Sequence, residues 1–100
     1  MGLFDFFFSK RYPTAEHTLL EHDVRRLVTY LNIPSLRGEE QKERMLQQAI
    51  LDRRHGDGKI SLQQIYELLT KMKNNRTITV FERDQTMKVL QKYFQGHAPV

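Results

Sequence analysis

The chain has no cysteine and no tryptophan. Without cysteine there can be no disulfide, thiolate metal ligand or cysteine nucleophile, and the absence fits a reducing compartment. No apolar run exceeds three residues, as in Phe6-Phe7-Phe8. Nothing therefore approaches the roughly 20 residues that span a bilayer. The order of a signal peptide is missing too, because Lys10 and Arg11 follow the apolar opening instead of preceding it. Nor is there a basic block. The net charge of +4 divides into +1 over residues 1–11, −1 over 12–34, +1 over 35–54, +2 over 55–76 and +1 over 77–100. A dedicated nucleic-acid binder shows a sharper footprint. The expectation is one cytoplasmic domain of 100 residues with a small core, which a second copy would help to cover.

What is present is mostly helix signal. In residues 16–31, Leu20, Val24, Leu27, Val28 and Leu31 recur at helical spacing, with Thr14 as N-cap and Asn32-Ile33-Pro34 as the stop. Ser35 to Gly38 reads as a loop. Residues 39–54 begin acidic and end basic, which suits the helix dipole, and Met45, Leu46, Ala49 and Ile50 make the buried stripe. His55-Gly56-Asp57-Gly58 is a strong turn signal. Ser61-x-x-Gln64 is a capping box that opens a helix over 62–73, with Leu62, Ile65, Leu69 and Met72 on one face.

Residues 77–95 admit two readings. Thr77-Ile78-Thr79-Val80 alternates like a strand, so a hairpin of 77–82 against 86–93 is one. Thr79-x-x-Glu82 is a second capping box, and Val80, Met87, Leu90 and Phe94 favour a helix over 80–95. The expected fold class is all-α: a four-helix compact domain over 12–95, a short apolar N-terminal helix within 1–11, and a tail at 96–100.

Catalytic and metal chemistry find little support. The stretch Asp52 to Ile65, DRRHGDGKISLQQI, resembles an EF-hand calcium loop with Gly58 at the sixth position and Ile60 at the eighth. Its ligand positions then fall on Arg53, His55, Asp57, Lys59, Ser61 and Gln64, which offer a single carboxylate where a hard cation needs several. A plain glycine-rich interhelical turn is the better account. His17 and His22 stand five apart, about 140° around a helix, which separates their imidazoles and reads as surface histidine. There is no phosphate loop, nucleophile elbow or dinucleotide fingerprint. The carboxylates all read as solvated helix faces. No cofactor, metal or catalytic residue is expected.

Two stretches carry candidate contacts. Arg53, Arg54, Lys59, Lys71, Lys73 and Arg76 flank helix 62–73, where a helix-turn-helix would place phosphate contacts; solvated surface is the alternative. Four of the six phenylalanines fall within residues 1–8. As a helix, Leu3, Phe6 and Phe7 would share a side widened by Phe4 and Phe8, with Lys10 and Arg11 placed to meet anionic headgroups. Such residues serve either as a peripheral membrane anchor or as packing against the body or a dimer groove.

The opening Met1-x-Leu3-x-Asp5-Phe6-Phe7-x-Ser9-Lys10-Arg11 resembles the membrane-targeting start of the MinE family, with an echo in Lys42-Glu43-Arg44-Met45 and Arg53-Arg54. That resemblance implies a membrane-associated activator of a partner ATPase, with later strands over 77–93. Residues 46–94 resemble the AriR/YmgA-type connectors, through Gln48-Ala49-Ile50, Gly56-Asp57, Ile60-Ser61-Leu62-Gln63, Leu68-Leu69-x-Lys71-Met72 and Lys92-Tyr93-Phe94. It implies a small helical regulator working through signalling proteins or DNA. The leading expectation is a non-enzymatic regulatory adaptor with a protein partner, acting as a dimer. Its contacts would come from the apolar edges of 62–73 and 80–95 and from the Phe-rich start. Membrane contact at the inner face and DNA binding stand as alternatives.

Overall fold

The computed structural model describes residues 12–96. The expected N-terminal helix and the tail beyond Gly96 lie outside the described residues. In chain order the elements are strand β1 (Glu16–Thr18), helix α1 (Glu21–Leu27), a 3-10 turn (Pro34–Leu36), helix α2 (Glu40–Arg53), strand β2 (Lys59–Ser61), helix α3 (Leu62–Asn74) and helix α4 (Val80–Gln95). The fold is all-α in character, four helices around one core, with a small two-stranded clasp. Leu19, Val24, Val28, Ile33, Leu46, Ile50, Ile60, Ile65, Leu69, Met87 and Leu90 make the solvent-free centre.

The three later helices follow their local signals. Ser61 Oγ accepts from the Gln64 amide at 3.1 Å, while Gln64 Oε1 accepts from the Ser61 amide at 3.0 Å. Thr79 and Glu82 repeat the exchange at 3.0 and 2.9 Å. Each reciprocal pair satisfies two amides that a helix start leaves open. Residues 77–93 are thus not a hairpin: the Thr79 cap commits Val80 onward to helix, and Ile78 is buried just before it.

The first element departs from expectation. Residues 16–18 are a strand, and helix starts only at Glu21. The cause is not local: Glu16, His17 and Thr18 pair antiparallel with Ser61, Ile60 and Lys59, and those ladder bonds replace a first helical turn. Thr14 therefore caps nothing, and Leu20 occupies the N-cap position without a side-chain bond. The helix also ends early. Asn32 Nδ2 donates to the Arg26 and Leu27 carbonyls, at 3.3 and 2.9 Å, satisfying two of the groups left by the last turn. Leu31, expected inside, is 76% exposed, and Met45 stands half in water. Val80 likewise faces outward.

Three polar side chains expected at the surface are buried. His17 stacks on Phe94 with ring centroids 4.4 Å apart. Asp23 and Glu82 leave the polar faces assigned to them because each gains partners from another helix. Glu82 receives Lys42 of α2 at 3.3 and 3.2 Å through its two oxygens while also capping α4. A second bridge, Gln47, donates to the Val28 carbonyl at 2.7 Å and accepts from Arg25 at 2.8 Å, fixing α1 on α2.

Replacing Glu82 by Ala removes the cap acceptor and leaves Lys42 without this partner, an expected loss of about 2–3 kcal/mol in urea unfolding. Glu82→Gln keeps the cap acceptor and costs about 1 kcal/mol. Equal losses from the two variants would show that the cap acceptor adds nothing beyond the ion pair.

Candidate functional site

The turn after α2 has the layout of an EF-hand loop, twelve residues from Arg53 to Gln64 between two helices. Gly58, at the sixth position, has φ +90°, and Ile60, at the eighth, is buried in β2. The side chains around it have other work. Ser61 and Gln64 are engaged in the capping box, and His55 bonds to the Glu16 carboxylate across the clasp. Among the described residues, no group of three or more His, Asp or Glu side chains is gathered closely enough to hold a metal ion.

Arg54 ties this loop together. Its Nε donates to the Leu51 carbonyl at 3.2 Å, and an Nη donates to the Leu19 carbonyl at 2.7 Å, linking α2 to the chain leaving β1. The guanidinium passes so close to Gly58 that a Cβ there would lie 3.0 Å from it. Glycine is needed at this point both for the left-handed backbone and for the passage of Arg54.

The other sequence-predicted basic residues do not form one patch. Arg53 and Lys59 lie with Arg54 at the start of α3, whereas Lys71, Lys73 and Arg76 lie at its far end. A helix of 13 residues separates the two groups by about 20 Å. Leu3, Phe4, Phe6, Phe7, Phe8, Lys10 and Arg11 lie outside the described residues. No helix among the described residues is long and apolar enough to cross a membrane.

One concavity is a feature that sequence reasoning missed. An open groove of about 510 Å³ runs between the end of α1 and the outer side of α4. Leu27, Val89 and the Tyr93 ring give it apolar walls, Phe81 stands at its mouth 60% exposed, and Lys88 and Lys92 line its rim. The signal was visible in part: Phe81 falls opposite the Met87–Leu90–Phe94 stripe, so no core position explains it. Gln85 Oε1, within the same groove, is sealed from solvent with no hydrogen-bond partner.

A polar cluster around the buried Asp23 holds the groove's inner wall. Tyr93 OH donates to Asp23 Oδ2 at 2.9 Å, and Arg26 donates to Oδ1 at 3.1 Å. Burial opposes the charge on Asp23. The Tyr93 hydroxyl, Arg26 and neighbouring His22 outweigh it and hold the carboxyl below the usual aspartate range. Burial, then the bond to Asp23, pushes the Tyr93 hydroxyl up. The bond from Tyr93 to Asp23 fixes α4 against α1.

Three measurements check this account of the cluster and the loop. The unfolded chain takes up the Asp23 proton more readily than the folded one, so stability is lost as pH falls below about 4. It also releases the Tyr93 proton first, so stability is lost again above about 10. Asp23→Asn flattens the acid limb of a plot of urea midpoint against pH; an unchanged limb refutes the role of Asp23. Arg54→Met keeps the aliphatic stem but not the two carbonyl bonds, an expected loss of about 1–2 kcal/mol. Millimolar calcium leaves the wild-type melting temperature unmoved, and a rise would contradict the reading of the loop. The chain matches no known family model, and comparison with curated proteins and with solved structures gives no significant match.

Proposed function

We propose that this chain is a non-enzymatic regulatory adaptor that works by protein–protein contact through the α1–α4 groove. The observation that carries the reading is Phe81, a large aromatic left 60% in water at the mouth of an apolar groove with a lysine rim. Aromatic anchors beside an apolar pocket are the usual centre of a protein contact, and charged rims set orientation and encounter rate. Supporting it, the buried carboxylates Asp23 and Glu82 are each engaged in holding helices together. The open, helix-walled shape suits a partner helix laid along α4.

The test uses the full chain as bait in native cell extract, followed by titration of the purified partner. Val89→Arg fills the groove while its stem continues to cover the surface beneath. It is expected to weaken partner binding at least about tenfold with little change in unfolding midpoint. Binding indifferent to Val89→Arg and to Lys92→Glu would remove the groove from the function.

A further inference from the structure

The outer face of α4 carries its features in an order that, reversed, is complementary to itself. Phe81 projects near the N-terminal end. Toward the C-terminal end, Lys88, Gln91, Lys92 and Gln95 surround a shallow depression. Those four positions are spaced i, i+3, i+4 and i+7, the arrangement of four side chains that receives a knob from a facing helix. Between knob and hole, Asp84 and Lys88 lie one turn apart, and both are exposed.

We propose that the occupant of this face is a second copy of the chain, docked with the two α4 helices antiparallel about a two-fold axis. This rests on the contact face assigned above and names what covers it. Seating Phe81 over the middle of the depression, between positions 91 and 92 of the second copy, fixes the register. Asp84 then lies across from Lys88 of that copy, and symmetry repeats both the knob and the ion pair. The axis passes beside Thr86, the midpoint of this pairing. The lysine and glutamine stems give the ring an aliphatic seat. Asp84 also accepts from Arg83 Nε at 3.0 Å, and Arg83 reaches back toward Thr70, so the carboxylate is held in place before docking.

A parallel arrangement fails on the same residues, since it sets Phe81 against Phe81 and Lys88 against Lys88. An isologous contact needs each feature to meet its complement under the two-fold, and the antiparallel register supplies this twice over. A partner of one charge sign would find either Asp84 or the lysines opposed to it. The small core of a chain this size gives a further reason for a copy to cover the exposed Phe81.

Sedimentation equilibrium of the full chain over micromolar to millimolar concentration tests the proposal, with circular dichroism as the check on folding. The wild type is expected to be dimeric at the upper end. Phe81→Glu is expected to raise the dissociation constant at least about a hundredfold with helix content unchanged. Asp84→Lys and Lys88→Asp each place like charges across the seam twice, so each alone is expected to be monomeric. An equimolar mixture of these two variants restores both pairs and is expected to form a heterodimer, as is a homodimer of the double variant Asp84→Lys/Lys88→Asp. A wild type that stays monomeric overturns the dimer and leaves heterologous binding, read through Val89→Arg, standing. Dimers insensitive to Phe81→Glu, or a mixture that fails to pair, overturn this face and register. A wild-type dimer that pairs as described but binds no other protein retains the inference and overturns the adaptor reading.

Discussion

One carboxylate sets the position of the longest helix. Glu82 closes the capping box that begins α4 and, with its remaining capacity, holds Lys42 of α2. A cap alone would start the helix without saying where it points. An ion pair alone would bring two helices together without deciding which residue starts the turn. Because both fall on a nearly buried side chain, the start of α4 is fixed in sequence and in space together. Thr86, one turn on, returns its hydroxyl to the Glu82 carbonyl at 2.7 Å. The groove and the outer face of α4 inherit their placement from this point, with the Tyr93–Asp23 bond holding the other end.

The loop before α3 shows how a fold can keep a shape whose usual ligand chemistry is missing. An EF-hand loop is drawn together by a cation held among carboxylates. Here only one ligand-position carboxylate, Asp57, remains, and a positive charge comes from the chain itself, through Arg54 and two backbone carbonyls. Gly58 permits both the turn and the crossing of Arg54. The loop is held in this way by hydrogen bonds from its own side chain.

Three of the helices were legible to within a residue because their causes are local. Ser61 with Gln64, and Thr79 with Glu82, announce helix starts three residues ahead, and the apolar spacing that follows agrees with them. The first helix misled because its apolar spacing is compatible with helix from Glu16 onward. The residues that stop it are Lys59 to Ser61, over 40 positions away. The same distance hid the burial of Asp23 and Glu82, whose polarity suggests water until Tyr93 and Lys42 are brought to them. Phe81 could be found only by subtraction: once the inward stripe of α4 is known, it is the aromatic left over. The basic residues around α3 shared a sequence neighbourhood without sharing a surface, since a helix carries its two ends apart.

The β1–β2 clasp has a kinetic consequence. From α2 to α4 each helix packs on its neighbour in the chain, so the loops to be closed are short. Joining Glu16 to Ser61 closes a loop of more than 40 residues for three pairs of backbone partners, a late and weakly rewarded step. Loop-closure entropy alone would favour assembly of helices α2 to α4 before β1 is joined to β2. The segment that follows β1 supplies Leu27 and Asn32, one wall of the groove. The groove is therefore bounded on one side by a helix packed on its neighbour in the chain and on the other by a segment tied in through a pairing that spans more than 40 residues.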